Sequence, residues 1–555
     1  MPAAPTNFGG QSGQVIASKP ATAREALPAI LVACFAAFGG ILYGYDTGTI
    51  SGLLAMQRFK EDFGEFMNND PSTGAYDPNF YLTTGETSLI TSILSAGTFF
   101  GALLGAPLGD LLGRKLGLQA TMVVFVVGVI IQLATTNRPV FIVGRVVAGL
   151  GIGMVSTLVV LYQSETAPRW IRGAVVSGYQ WCITIGLLLA AIVNNSTKDR
   201  ADTGSWRIPV GVQIGYALVM SIGLIFLPES PRWLVKVGKP EKAAQALARL
   251  NSHSADSVLV RSELADIQTA YDYELTYGNG TYLDCFTGGE RRHWFRTMTG
   301  TLLQGWQQLT GINFIFYYGT IFFGTISSNA FLFSIVSNVV NVVCTIPSFF
   351  LMERLGRRWM LVGGAFYMAV CELLVAALGT AYGNDNPMAS KAMIAFVCIY
   401  ISGFAATWGP GAWVVCGEIF PLSIRAKALS LCTASNWLWN FGIGYATPYL
   451  VNVGPGEAGL QTKVFWIWTA TCFCAGIFAY FTIYETKGAS LEEVDGMYAA
   501  TSPRGSARYL AQMKNARVDP EAHIADDEAV TADRAKHSIT HGTKDASNED
   551  LKSSM

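Results

Sequence analysis

Apolar and polar positions along this chain fall in long blocks. Twelve apolar runs stand at 28–54, 88–112, 117–136, 139–162, 174–195, 207–227, 299–324, 332–353, 358–381, 393–416, 427–450 and 463–484. Each is near the roughly 20 residues that cross ~30 Å of hydrocarbon. In lipid a lone segment must satisfy its own backbone hydrogen bonds, so each run predicts a helix. The blocks divide the chain into a polar N-terminal segment (1–27), a six-helix bundle (28–227), a charged linker with helical stretches such as Glu241–Asn251 (228–298), a second six-helix bundle (299–484) and a polar tail (485–555). The tail lacks a periodic apolar face and predicts a largely disordered segment. The expected fold class is an all-α polytopic membrane protein of twelve transmembrane helices in two pseudo-symmetric six-helix bundles.

Two signatures between the runs repeat. Glu165, Pro168 and Arg172 have the same spacing as Glu418, Pro421 and Arg425, 253 residues later. Gly113-Arg114-Lys115 returns as Gly356-Arg357-Arg358, 243 residues later. A membrane chain whose halves repeat is most simply a transporter of two related bundles.

Composition agrees. Hydrophobic residues make up 51% of the 555 and charged ones 14%, against roughly 25% charged in soluble proteins. A net charge of −1 favours neither a nucleic-acid partner nor strong binding to anionic lipid. Of ten cysteines only Cys285 lies outside an apolar run, so no disulfide framework is expected; the histidines all lie outside the runs, so neither a metal site nor an intramembrane histidine relay is expected. No cleavable signal is expected before the first run. With both termini placed in the cytoplasm, eleven Lys and Arg lie in the N-terminal segment and short inner loops against eight outside, and the linker adds nine inside. That orientation puts the sequons of Asn194 and Asn195 outside, as candidate glycosylation sites, and that of Asn279 inside, unmodified.

Ionisable groups within membrane helices are costly and mark functional candidates. Asp46 lies in the first run and Arg145 in the fourth. Two readings fit them: a protonatable carboxyl and its partner coupled to transport, or a static pair joining two helices. Glu165 with Arg172, Glu418 with Arg425, and the two Gly-Arg turns suggest a latch closing the bundles on the cytoplasmic side; topology signals with snorkelled glutamates explain the basic residues but not the repeated spacing. Glu372, in the ninth run, has no repeat partner and reads as a local structural contact. Gln180, Gln307, Gln308, Asn313, Asn341, Trp413, Asn436 and Asn440 spread over five runs. Amides both donate and accept, and aromatic faces suit the C–H side of a sugar ring, so the set favours a polyol or sugar over an ion. Taken singly, each is as well explained by interhelical hydrogen bonding.

These motifs, GYDTGTISG, GDLLGRK, SETAPRWIRGA, PESPRWL, QQLTGINFIFYY, ERLGRR and GPGAWVVCGEIFPLSIRAKA, resemble those of the sugar porter family of the major facilitator superfamily, over essentially 28–488. The likeness is greatest to fungal hexose transporters. The resemblance implies alternating access, several cytoplasmic helices in the linker, a plasma-membrane location, a monomer, no cofactor and no enzymatic activity. It implies sugar contacts at Gln180, Gln307, Gln308, Asn313, Asn341, Trp413 and Asn436, with Tyr43 lining the cavity and Tyr317 and Tyr318 near the outer gate. It implies an Asp46–Arg145 coupling pair and a cytoplasmic latch of Arg114, Glu165, Arg172, Glu353, Arg357, Glu418 and Arg425. Facilitative animal glucose carriers have Asn at the Asp46 position, which favours proton symport here, whereas facilitative yeast hexose carriers keep Asp. Glucose symport, facilitated glucose uptake and non-transporting sugar sensing are thus three readings. Sensors of this fold typically have a much longer tail than 485–555, which ranks sensing last. The chain departs from the family at Tyr484, where Pro is usual, and at Glu353, where Asp is frequent.

Overall fold

The computed structural model describes residues 27–67, 79–167, 172–275, 281–288, 292–326, 329–383, 386–489 and 491–518. Among the described residues, twelve helices make up the two bundles. They are α1 (Leu27–Leu53, interrupted at Phe38), α2 (Thr84–Leu112), α3 (Arg114–Leu133), α4 (Arg138–Thr166), α5 (Arg172–Thr197), α6 (Gly204–Phe226), α7 (His293–Leu309 and Ile312–Ile326), α8 (Ala330–Arg354), α9 (Arg357–Tyr382), α10 (Pro387–Ala406 and Trp408–Glu418), α11 (Leu422–Val451) and α12 (Phe465–Thr482). Ten are long and apolar enough on their own to cross a membrane. The others are α7, which is interrupted at Thr310–Gly311, and α11, whose inward face carries Ser430, Thr433, Asn436 and Asn440.

Helix packing depends on small residues where no hydrophobic force acts between helices in lipid. Gly40, Gly44, Gly48 and Gly52 recur every fourth residue on α1 and face Tyr179, Ile183, Leu187, Ala190 and Asn194 of α5. A Cβ at Gly44 would run into the Ile183 carbonyl. The stripe brings α1 against α5 at backbone distance and buries Asp46 completely.

The linker folds into helices Pro231–Lys236, Pro240–Asn251 and Val258–Leu275 and a short 3₁₀ turn at Leu283–Phe286. Trp233, Leu234, Ala243, Ala246, Leu247, Val260 and Ile267 form its own small core. On the opposite, far side, helix Gln57–Phe63 and a hairpin pairing Glu65–Met67 with Asn79–Tyr81 cap the first bundle. Phe59, Phe63, Phe141 and Trp206 pack together there, and Trp206 Nε1 donates to Asp62 at 2.8 Å.

Two expectations need correction. The tail is ordered at its start: Leu491–Ala500 and Ser506–Val518 are helices. Tyr498 stacks on Tyr484 at 4.0 Å and covers Arg296 at 4.2 Å, so a few aromatic and charged anchors order a segment that has no amphipathic period. Residues 1–26 and 519–555 lie outside the described residues, as does the Asn279 sequon. Asn194 is buried, and its amide nitrogen donates to the Gly48 and Thr49 carbonyls at 3.0 and 3.2 Å. That nitrogen has no path to a glycan. Asn195, one residue on, is half-buried.

Candidate functional site

A small cavity lies between the bundles. Tyr43 and Thr47 of α1, Gln180 of α5, Gln307, Gln308, Asn313 and Phe316 of α7, and Phe404 and Trp413 of α10 line it. Amides thus face aromatic rings, which is the chemistry of a hydroxylated ring with an apolar face. The interruption of α7 separates Gln307 and Gln308 from Asn313 and turns both segments toward the cavity.

Hydrogen bonds tie several of these side chains down. The Gln307 amide nitrogen donates to the Trp408 and Gly409 carbonyls at 3.1 and 2.8 Å, where α10 restarts after its own interruption at Thr407. Its oxygen accepts from Asn436 Nδ2 at 2.7 Å, and that nitrogen also donates to Gln304 Oε1 at 2.7 Å. Asn313 Nδ2 donates to Gln308 Oε1, which accepts also from Asn440 Nδ2 at 3.1 Å. Asn436 therefore stands behind Gln307, outside the cavity lining. Asn341 is fully buried on α8, also outside the lining, with neither amide atom hydrogen-bonded among the described residues. Tyr317 and Tyr318 are likewise not in the lining: their hydroxyls donate to Asn440 Oδ1 at 2.7 Å and the Gly444 carbonyl at 2.6 Å, joining α7 to α11. Gln304 and the α10 interruption are not signalled by the sequence; Gln304 stands three residues before the quoted QQLTG stretch and carries no distinguishing pattern.

Asp46 and Arg145 meet inside the first bundle, Oδ2 to Nη2 at 3.5 Å, and both are buried. Neither carboxylate oxygen closes a hydrogen bond among the described residues, and Arg145 Nε and Nη2 also have none. The pair is thus a loose contact within the first bundle, joining α1 to α4.

On the linker side, each bundle builds the same corner. Arg114 makes a two-pronged contact with Glu165 at 2.9 and 2.7 Å, and Arg357 with Glu418 at 3.1 and 2.8 Å. Gly113 and Gly356 precede them with φ of +89° and +84°, a left-handed turn open to glycine. A second glutamate caps each following helix: Glu229 accepts from the Arg114 and Lys115 amides, Glu485 from those of Arg357 and Arg358. Ser230 and Thr486 complete the corners by donating to Glu165 and Glu418. The quoted PESPRWL motif and the Tyr484-Glu485-Thr486 departure are thereby structural equivalents. Burial raises the Glu229 carboxyl above its usual range despite its amide donors.

Glu165 and Glu418 pair with arginines of their own bundles, because the Gly-Arg turns project those guanidiniums inward. Arg425 donates to the Phe420 carbonyl at 3.1 and 3.0 Å, and its charge reaches Glu165 across the boundary. Glu353 contacts Arg357 at 3.1 Å. The Arg172 side chain lies outside the described residues, as do Pro168, Arg169 and Trp170. Contacts between the bundles on this side come from Asp110, which meets Lys427 at 3.7 Å and the linker's Lys236 at 2.9 Å. Tyr282 adds a bond to the Leu103 carbonyl at 2.8 Å and one with Ser430 at 3.1 Å. On the far side Ser51 meets Thr320 at 3.1 Å, and Ser95 donates to Asn440 at 2.6 Å. The cavity is tied shut from both directions.

The profile of a family described as "Sugar (and other) transporter" matches residues 32–498. The chain is 47% identical to the probable glucose transporter rco-3 of Neurospora crassa, over 86% of this chain and 80% of that one. It is 41% identical to the high glucose sensor RGT2 of Saccharomyces cerevisiae, over 88% of this chain and 63% of that one. Among solved structures it resembles the proton:xylose symporter XylE of E. coli, with a TM-score of 0.69 and 25% identity over 86% of this chain and 99% of that one.

Proposed function

The chain belongs to the sugar transporter family of the major facilitator superfamily, and from that premise we propose that it carries hexoses, glucose foremost, in symport with a proton. The observation that carries the coupling is the Asp46–Arg145 contact: fully buried, 3.5 Å long and open to a proton on the carboxylate. With Asp46 ionised, the pair attracts and holds α1 to α4. A proton cancels that attraction, frees α1 from α4 and leaves the Arg145 charge unbalanced inside the first bundle. Proton occupancy thereby biases which side the bundles open toward.

Sugar binds in the central cavity between Gln180, Gln308 and Asn313, with Tyr43, Phe316 and Trp413 against its apolar faces. Gln307 and Asn436 set the geometry of α7 against α10 and α11, Asn341 contributes from α8, and Tyr317 and Tyr318 gate the far side. The linker side faces the cytoplasm, with both termini, and the protein resides as a monomer in the plasma membrane. Its two corners, with Arg172, Glu353 and Arg425, keep each bundle rigid as they part. Asn195 faces the outside as the remaining glycosylation candidate.

Uptake of labelled glucose in a hexose-transport-null yeast, with and without a protonophore, tests the proposal. The expected result is accumulation above the outside concentration that collapses on adding protonophore, and loss of accumulation but not of exchange in Asp46→Asn. Uptake that only equilibrates and ignores the protonophore makes the protein a facilitator. No uptake despite surface expression makes it a sensor.

A further inference from the structure

An interrupted helix inside a membrane leaves carbonyls without intrahelical donors, and each is costly unless another group supplies one. At the α7 interruption, where Gly311 takes a φ of +81°, two neighbours do so. Thr471 Oγ1 of α12 donates to the Leu309 carbonyl at 2.6 Å. The Tyr400 hydroxyl of α10 donates to the Thr310 carbonyl at 2.7 Å. Beside Tyr400 stands Glu372 of α9, 1% exposed.

The Glu372 carboxyl adjoins the Tyr400 hydroxyl and the Cys472 thiol of α12, though no hydrogen bond to it closes among the described residues. Those two are the titratable groups facing it; α7 presents only the Thr310 carbonyl, to which the Cys472 sulfur also points at 3.8 Å. No cation stands among them. The single proton of the Tyr400 hydroxyl is committed to Thr310, so its oxygen keeps a lone pair free to accept. A carboxylate there would meet that lone pair while bearing the full cost of burial. A neutral carboxylic acid has an O–H to donate to it.

We propose that Glu372 is a positioning residue: a neutral acid that donates to Tyr400, so that a chain from Glu372 through Tyr400 to the Thr310 carbonyl fixes the interrupted turn of α7. That turn carries Gln307 and Gln308 on one side and Asn313 on the other. Glu372 touches no substrate and acts through the placement of these amides. The transport readout of this role rests on the sugar-site reading above.

Three variants, brought to equal surface expression, test it. Glu372→Gln keeps a donor and is expected to hold the glucose KM within about twofold of wild type. Glu372→Leu and Tyr400→Phe are each expected to raise KM roughly tenfold, the scale of one lost buried hydrogen bond, with Vmax changed less than twofold. Their double variant is expected to show no further loss, since both break one chain. A wild-type KM in Glu372→Leu overturns the proposal, and so does a Glu372→Gln variant as impaired as Glu372→Leu. If Glu372→Leu fails to reach the membrane, Tyr400→Phe and Glu372→Gln carry the same comparison. Infrared spectroscopy of the purified wild type supplies an arm independent of transport: a protonated-carboxyl band lost in Glu372→Gln supports the neutral acid, and its absence overturns it. Gln308→Ala, measured alongside, judges the sugar site separately, since an unchanged KM there refutes that site while leaving the infrared result standing.

Discussion

At the residue scale, much of the cavity's chemistry is already occupied within the protein. Gln307 uses both donors on the α10 backbone and its oxygen on Asn436. Replacing it with Ala removes the donor to the Trp408 and Gly409 carbonyls and leaves Asn436 Nδ2 with Gln304 alone, a loss of about 1–3 kcal/mol. Gln307→Ala is therefore expected to lower thermal stability and to raise the glucose KM together. The Gln180 side chain makes no hydrogen bond among the described residues, so Gln180→Ala is expected to raise KM and leave stability unchanged; paired melting and uptake measurements separate the two. The corner arginines give a second prediction. Arg114→Ala leaves Glu165 buried and uncompensated, at a cost of about 3–5 kcal/mol, and Arg357→Ala does the same to Glu418. The two variants should lose similar stability in detergent, and Glu165→Gln should recover part of the Arg114→Ala loss. Unequal losses would refute the equivalence of the corners. The sequence exposed the Gly-Arg turns and the repeated glutamates because these sit at fixed spacings. It left open which arginine of each set meets Glu165 and Glu418, because spacing along the chain does not say how the Gly-Arg turns bring Arg114 and Arg357 to them in space.

At the element scale, the glycine stripe on α1 decides how deep Asp46 sits. Gly44→Val drives a branched side chain into the Ile183 backbone, which cannot yield as a side-chain tip would. Overpacking of this kind costs about 1–3 kcal/mol, so the variant is expected to melt earlier and to lose uptake, whereas Gly215→Val, with open space around it, should keep both. Twelve spans and their division by a linker were readable from hydropathy alone, since lipid imposes one length on every helix. The interruptions of α7 and α10 were not. Each lies in an unbroken apolar run, and each is stabilised by donors from other helices: Tyr400 and Thr471 for one, Gln307 for the other. The start of the tail was missed for a related reason, because Tyr498 and Asp495 gain their order from Arg296, 202 residues upstream of Tyr498 in the chain.

At the scale of the whole molecule, transport requires the two sets of ties to part in turn. Ser51 and Thr320 are the far-side pair best placed to report it, with hydroxyls 3.1 Å apart on α1 and α7. Ser51→Cys with Thr320→Cys is expected to lose at least about tenfold of uptake on oxidation and to regain it on reduction, because a disulfide there holds one exit shut through the cycle. Undiminished uptake with the crosslink formed would show that these helices need not separate. The linker-side ties, from Asp110 to Lys427 and from Tyr282 to Leu103 and Ser430, close the other exit. Seen electrically, a molecule closed at both ends is an insulator. It offers ions no continuous file of water, and the membrane voltage falls across two plugs in series with a wet chamber between them. Sugar-free vesicles containing the protein should therefore hold an imposed potential as long as vesicles of lipid alone, and current should appear only when substrate lets the two plugs open one at a time.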